Sequence, residues 1–591
     1  MKRTGSPRKP TCDIIRNIGS LSFESNLSEI RGKFLMNSNY FRTGKQAAAL
    51  LFVFCLLNLQ VPAQMAAKPA TSSLTTEERS LTEKISLDSL KRFTNALSAD
   101  EMEGRGTMQA GGDKAAEWLA ARYEEIGLKP LGDKGSYLQS IKFRETVLTD
   151  KTFFKIDDTE LVHGKDWGII PFTARENTIK GEMVFVAYGI VADSINRNDL
   201  EGINLRNKIV VIIDGPPASI SKEAWEKSNA TQAIFGLIMQ AGAKGIVFIG
   251  HGREKDPPEV LIDYFSRRQI SLSSEDGPSS FMPPLIYASA EAAAKFFEKS
   301  GVSYKDALAR AENNDFKPFE LKRDAEISIK PRSSTGTSSN VVGYLEGSDP
   351  KLKEEAIVYS AHYDAYGILD GKIYNGAADN ALGTSEMLAV AEAFSKMDPK
   401  PKRSLIFLAV TGEEYGLYGS KFWAKDPTWD IKKVAANLNL DTIGSEVYGP
   451  IKIVVGYGAE HSSLGPMLDD VAEAYKINVI PDPAPEEKVF LRSDHYSFVE
   501  RGVPALMLMA GPEGTGESLM ARIKAWEKLH YHQPSDDVMD DWHWEGAKTV
   551  SDLMAILGLR LAQQSEMPSW NKTSRFGELK RGNTKELPEE N

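Results

Sequence analysis

Ser404-Leu-Ile-Phe-Leu-Ala-Val410-Thr-Gly-Glu413-Glu414-Tyr-Gly-Leu-Tyr-Gly-Ser420 runs from a short apolar segment into a polar turn holding two adjacent carboxylates. An apolar run of this length, closed by a glycine-containing turn, reads as a strand buried on both faces, the kind found in a parallel sheet. Such sheets gather ligands at the carboxyl ends of their strands. Successive residues point in different directions, so one glutamate can bind a metal while its neighbour takes a proton from water. A Glu-Glu pair on a surface is ordinarily solvated charge. Placed between an apolar run and two glycines, it reads as chemistry.

Outward from this strand the pattern repeats. After Asn340 the spacing predicts strands at 356–361, 404–410, 434–440 and 505–509, and helices at 382–397, 461–475 and 545–561. Alternating buried strands and amphipathic helices imply an α/β fold, a mostly parallel mixed sheet flanked by helices. His362, Glu413, Glu414 and Asp441 each follow a predicted strand within four residues, so side chains from three strands converge at one sheet end. His362 and Asp364 stand two apart in Ser-Ala-His-Tyr-Asp and point the same way if extended. The imidazole can then ligate a metal while the carboxylate fixes its tautomer. Asp379 sits where a turn enters a helix, a place for a simple N-cap, yet its two oxygens can also bridge two metals. Asp441 ends the run 437–440. In Leu-His530-Tyr-His532-Gln-Pro-Ser-Asp two histidines compete; His532 is favoured, because the residues after it can hold a loop histidine rigidly while His530 ends the preceding helix.

His362-Tyr-Asp364, Gly-Ala-Ala-Asp379-Asn, Thr-Gly-Glu413-Glu414-Tyr-Gly-Leu-Tyr-Gly-Ser, Asn-Leu-Asp441, Ser493-Asp494-His495 and His532-Gln-Pro-Ser-Asp, in this order, resemble the signature of the co-catalytic dizinc exopeptidases, the family of bacterial leucyl aminopeptidases and glutamate carboxypeptidases. Glu-Gly-Arg-Gly-Thr at 103–107 and the restart at 338–348 are similar too, so the resemblance covers roughly residues 88–563. It implies two Zn2+ ions, one held by His362, Asp379 and Asp441, the other by Asp379, Glu414 and His532. Asp379 would bridge, Glu413 would be the general base and Asp364 its catalytic companion behind His362. A metal-bridging water would then hydrolyse a peptide bond. The family's tyrosine shortly before Ser-Asp-His is replaced here by Val489-Phe-Leu-Arg492, with Tyr531 or Arg492 as substitutes; His495 is surplus to the ligand set. The expected substrate is a peptide or protein, attacked most readily at its amino terminus. A carboxypeptidase or dipeptidase on the same centre is the alternative, and a catalytically inactive binding protein a third.

Composition sets the frame. With 591 residues, 41% hydrophobic and 9% aromatic, the chain can fill several cores. Residues 1–63 hold nine Lys/Arg against three Asp/Glu, so cleavage after them would take the net charge from −11 to about −17. That balance opposes nucleic-acid binding, which needs a basic face. The apolar stretch 47–59, behind Arg42 and Lys45 and ahead of Val-Pro-Ala63, reads as an export signal rather than a spanning helix, with translation beginning at Met36. An uncleaved anchor is the rival. The mature chain would be periplasmic or secreted, without stable membrane insertion, and without cysteine, since Cys12 and Cys55 lie upstream. No Gly-x-Ser-x-Gly suggests a serine hydrolase.

The remaining divisions are a loose lead-in at 64–85, a first part of the peptidase-like domain at 86–148, an inserted β-rich module at 149–332, the main part at 333–563 and a polar tail at 564–591. The insert resembles a protease-associated domain. Within it, 253–284 reads as charged and turn-rich, and the Ser/Thr/Gly run 333–339 reads as the linker that returns from it.

Overall fold

In a computed structural model the described residues are 73–591, apart from 222–224, 226–229, 251–257, 275–282, 443, 586 and 588–591. The expected signal segment and the start at Met36 lie outside them. The main sheet runs, edge to edge, through Gln269–Leu272, Leu138–Leu148, Pro331–Leu345, Ser404–Val410, Ala356–His362, Val434–Asn439, Ala505–Gly511, Ile453–Tyr457 and Asn478–Ile480. Its centre, from Ser404–Val410 to Ala505–Gly511, is parallel. The outer pairings are mostly antiparallel, so the α/β expectation holds with the parallel order concentrated around the site.

The period of two in the opening stretch explains the layers. Leu405, Phe407 and Ala409 face a core shared with the helices Leu87–Leu97, Leu382–Ser395 and Trp544–Gln563. Ile406, Leu408 and Val410 face the opposite core, with Trp423, Phe498, Leu519 and Ile523. Apolar side chains on both faces leave no solvated side, which is why the strand carries no alternation of polarity.

A second, eight-stranded sheet, ordered Thr159–Leu161, Phe153–Ile156, Phe319–Ile329, Asn177–Phe185, Ile209–Ile213, Gly245–Ile249, Leu285–Ala288 and Trp167–Ile169, encloses its own apolar core. Chain enters it after Leu148 and leaves before Pro331, and Thr149 donates its amide to the Lys330 carbonyl at 3.0 Å, pinning the two crossings together.

Several expectations change here. The run 333–339 is not a linker: it lies inside the strand Pro331–Leu345, each residue paired with Leu138–Leu148. Its Ser and Thr suit a ladder whose one face is wet, and composition alone does not separate that from a flexible link. The stretch 253–284 contains the helix Pro258–Ser266 and the strand Gln269–Leu272, and this strand joins the edge of the main sheet. The lead-in is not loose at its end, because Thr75 and Glu78 form a capping box that starts the helix Thr76–Thr82. Glu78 then pairs with Arg560 of the last helix at 2.6 Å. The tail is packed as well: Phe576 is buried, and Arg581 donates to the carbonyls of Val434, Ala435 and Pro568.

Candidate metal centre

His362 is the last residue of its strand, Glu413 and Glu414 follow Val410, and Asp441 follows Asn439 by two. Asp379 comes from the turn before the helix Leu382–Ser395, and His532 from the loop after the helix Gly516–Leu529. The fold brings all of them together. His362 Nε2 stands 3.2 Å from Asp379 Oδ1 and 3.6 Å from Asp441 Oδ1. His532 Nε2 stands 3.4 Å from Asp379 Oδ2 and 2.9 Å from Glu414 Oε2. Asp379 therefore turns one oxygen to each imidazole. Among the described residues, the groups His362, Asp379, Asp441 and Asp379, Glu414, His532 each offer donor atoms mutually within 4.8 Å.

Donors about 2.1 Å from a shared tetrahedral ion stand about 3.4 Å apart, so the spacing suits two ions of zinc's size, and mixed imidazole–carboxylate donors suit zinc's borderline character. The charge points the same way. Asp364, Asp379, Glu414, Asp441 and Asp494 are buried, with Glu413 beside them, while the donor groups themselves carry only two basic side chains, His362 and His532. Buried carboxylate in such excess calls for added cation.

Residues outside the donor groups hold the shape. Arg105, fully buried, donates to the carbonyls of Tyr363, Leu97, Asn375 and Gly376 and so ties together the loops carrying His362 and Asp379. Burial lowers its pKa to about 10, with Asp536 and Asp364 opposing, and it stays charged. Asp536 accepts from the amides of Ala378 at 2.9 Å and Asp379 at 3.1 Å. Ser493 donates to Asp441 Oδ2, and Thr384 to the His362 carbonyl. From the sequence Arg105 and Asp536 stand out only as members of motifs, without these contacts, and Thr384 does not stand out at all; for Arg105 the glycines around it, which signal close backbone approach, are the available clue.

Asp364 departs from its expected part. Its main-chain carbonyl, at 3.1 Å, meets His362 Nδ1, while its carboxylate is 3.9 Å away. The carboxylate instead accepts from the Glu413 amide at 3.2 Å and from Thr107 Oγ1 at 3.1 Å, so it braces the glutamate turn. The extended geometry assumed for the pair ends at His362. His530 caps its helix and contacts Ser535, away from the donors. His495 packs on Phe490, and burial lowers its pKa to about 4, which keeps it neutral. Tyr531 stacks on His532 with ring centres 3.6 Å apart.

Burial opposes charge on both imidazoles, but Glu413, Asp379 and Asp441 raise His362 well above its usual value. Glu414 and Asp379 likewise raise His532 to about 9. Without metal both rings hold a proton at neutral pH, and a metal must displace it. The His532 share of zinc affinity should therefore rise with pH up to about 9, by about tenfold per unit, and level off above, and displacement of the His362 proton adds to the rise in the same direction. Calorimetry at pH 7 in buffers of different ionisation enthalpy should count released protons; uptake without release would mean neutral imidazoles.

Residues 340–557 match peptidase family M28. A probable glutamate carboxypeptidase of Arabidopsis thaliana is 23% identical over 449 residues, 69% of this chain and 60% of the relative, so the chain spans about three fifths of that protein's length. Two solved structures share the fold. An aminopeptidase from Aneurinibacillus sp. strain AM-1 superposes with a TM-score of 0.55 and 19% identity, covering 83% of this chain and 97% of the other. A zinc aminopeptidase from Bacillus subtilis gives 0.50 and 17%, covering 84% and 98%.

Proposed function

We propose that the chain, whose residues 340–557 match peptidase family M28, is a dizinc exopeptidase that removes residues from peptide amino termini. The observation that carries this reading is Asp379, whose two oxygens face His362 and His532. His362, Asp379 and Asp441 would hold one zinc, and Asp379, Glu414 and His532 the other. When bound, such a pair polarises the scissile carbonyl and activates water.

The rest falls to the chain's own side chains. Glu413 belongs to neither donor group and is partly exposed, whereas Glu414 is buried. The buried surroundings of its carboxyl, with Asp494, Asp441 and Glu414 nearby, push Glu413 well above its usual range against the pull of His362, although part of the residue reaches solvent. A carboxylate with that affinity for protons suits a general base that takes one from water at its Oε and passes it to the leaving amine. Asp364 orients it through its amide. Tyr531, stacked over His532 and near the charges of Asp379, Glu414 and Glu413, is suited to donate its phenol hydrogen to the developing oxyanion.

An acidic pocket favours a free ammonium over a free carboxylate. The nearby guanidiniums are already engaged, Arg267 by Asp263 and Arg492 by the Glu487 carbonyl and the Tyr531 phenol. Aminoacyl-anilides should therefore be cleaved and amino-blocked dipeptides with free carboxyl termini should not; cleavage confined to the latter would reverse the direction assigned. The reading includes export, supported by the apolar segment 47–59, and a protease-associated-like identity for the inserted module. Among the described residues no helix is long and apolar enough to cross a membrane.

A further inference from the structure

The inserted segment that leaves its own sheet and joins the main one brings Arg267 and Arg268 to the metal centre, between the helix Pro258–Ser266 and the strand Gln269–Leu272. The Arg267 side chain is 8% exposed. Its Nε and Nη2 donate to Asp263 Oδ2 at 3.0 and 2.6 Å. Its guanidinium lies 4.7 Å from the ring centre of Tyr366 and 5.2 Å from that of Tyr374, within range of a cation–π contact with each. Nη2 also donates to the His532 carbonyl at 3.2 Å.

That carbonyl belongs to a residue held at φ +57°, a conformation rare for any residue but glycine. A backbone in this state needs its peptide groups fixed from outside. Arg267 fixes one of them. The imidazole is fixed by the same assembly, because the Tyr366 hydroxyl lies 3.2 Å from His532 Nδ1. A phenol oxygen accepting there keeps the proton on Nδ1 and turns the Nε2 lone pair towards Asp379 and Glu414. His362 differs: its Nδ1 meets the Asp364 carbonyl and its own carbonyl accepts from Thr384, both within the peptidase part of the chain.

We propose that Arg267 is a positioning residue for His532, through which the inserted module governs occupancy of the metal subsite formed by Asp379, Glu414 and His532. The subsite of His362, Asp379 and Asp441 does not depend on it. This rests on the two-subsite reading above.

The test is zinc binding by the full chain, measured by competition with a chromophoric chelator, with zinc anomalous scattering from crystals to locate each ion. Wild-type protein should bind two ions. Arg267→Ala should keep the ion beside His362 and Asp441 and lose 10- to 100-fold in affinity for the other, the scale of effect seen when a ligand's supporting contact is removed. Arg267→Lys, which cannot both stack and bridge, should fall between, and Tyr366→Phe should weaken the same subsite alone. These two milder variants carry the test should Arg267→Ala not fold. Two ions held with wild-type affinity in all three, or equal weakening of both subsites, would overturn the role of Arg267. Fewer than two ions in the wild type would overturn the two-subsite reading itself, and the inference with it.

Discussion

Glu413→Gln should reduce turnover by about 10²- to 10⁴-fold, the range expected when a general base is removed, while zinc content and folding stay as in the wild type. The substitution keeps the side chain's volume, removes its capacity to accept a proton and leaves both donor groups whole, since neither includes Glu413. The hydrogen bond between the Glu413 amide and Asp364 is a backbone contact and survives. The loss should fall on kcat, with KM little changed. Steady-state kinetics beside elemental analysis separate the cases: wild-type turnover would remove Glu413 from the chemistry, and a drop that tracks lost zinc would make it a ligand.

Asp379→Ala should be more severe and of a different kind. Asp379 is shared by both donor groups, so each loses a third of its protein donors at once. Removing a mere supporting contact already costs about 10- to 100-fold in metal affinity, and removing a ligand costs more. Zinc should fall from roughly two ions per chain to less than one, and activity with it. The two imidazoles would lose a shared acceptor. Retention of both ions after dialysis would show that the remaining carboxylates suffice and that Asp379 is not the bridge.

The sequence was legible where its physics is local. Leu405 to Val410 specifies a doubly buried strand within six residues, and the expectation that its end, with those at His362 and Asp441, would converge needed only the rule about parallel sheets. The order of motifs then supplied the expected partition between Glu413 as base and Glu414 as ligand, which periodicity leaves open and which the Glu413→Gln variant tests. Elements half exposed to solvent were harder. Leu138–Leu148 carries Gln139, Ser140, Lys142, Arg144 and Glu145 among its apolar residues, and Ser333 to Ser339 pairs with it; both look like loops when neither partner is visible. Arg267 was out of reach for another reason, and for Arg105 the flanking glycines hinted at close approach without indicating a partner. Their roles depend on carbonyls about 260 residues away in the chain, at Tyr363 and His532, and no local spacing encodes such a contact.

The pairing of Gln269–Leu272 with the edge of the main sheet has a practical consequence for anyone wishing to shorten this protein. Excision of 149–330 with a short splice would strip the Leu138–Leu148 strand of its outer neighbour and bare a row of unpaired amides and carbonyls, a template for association between chains. It would also part the crossing pinned by Thr149 and Lys330. A trimmed chain would need either that one strand grafted back or its new border charged, and it would still lack the arginine beside His532.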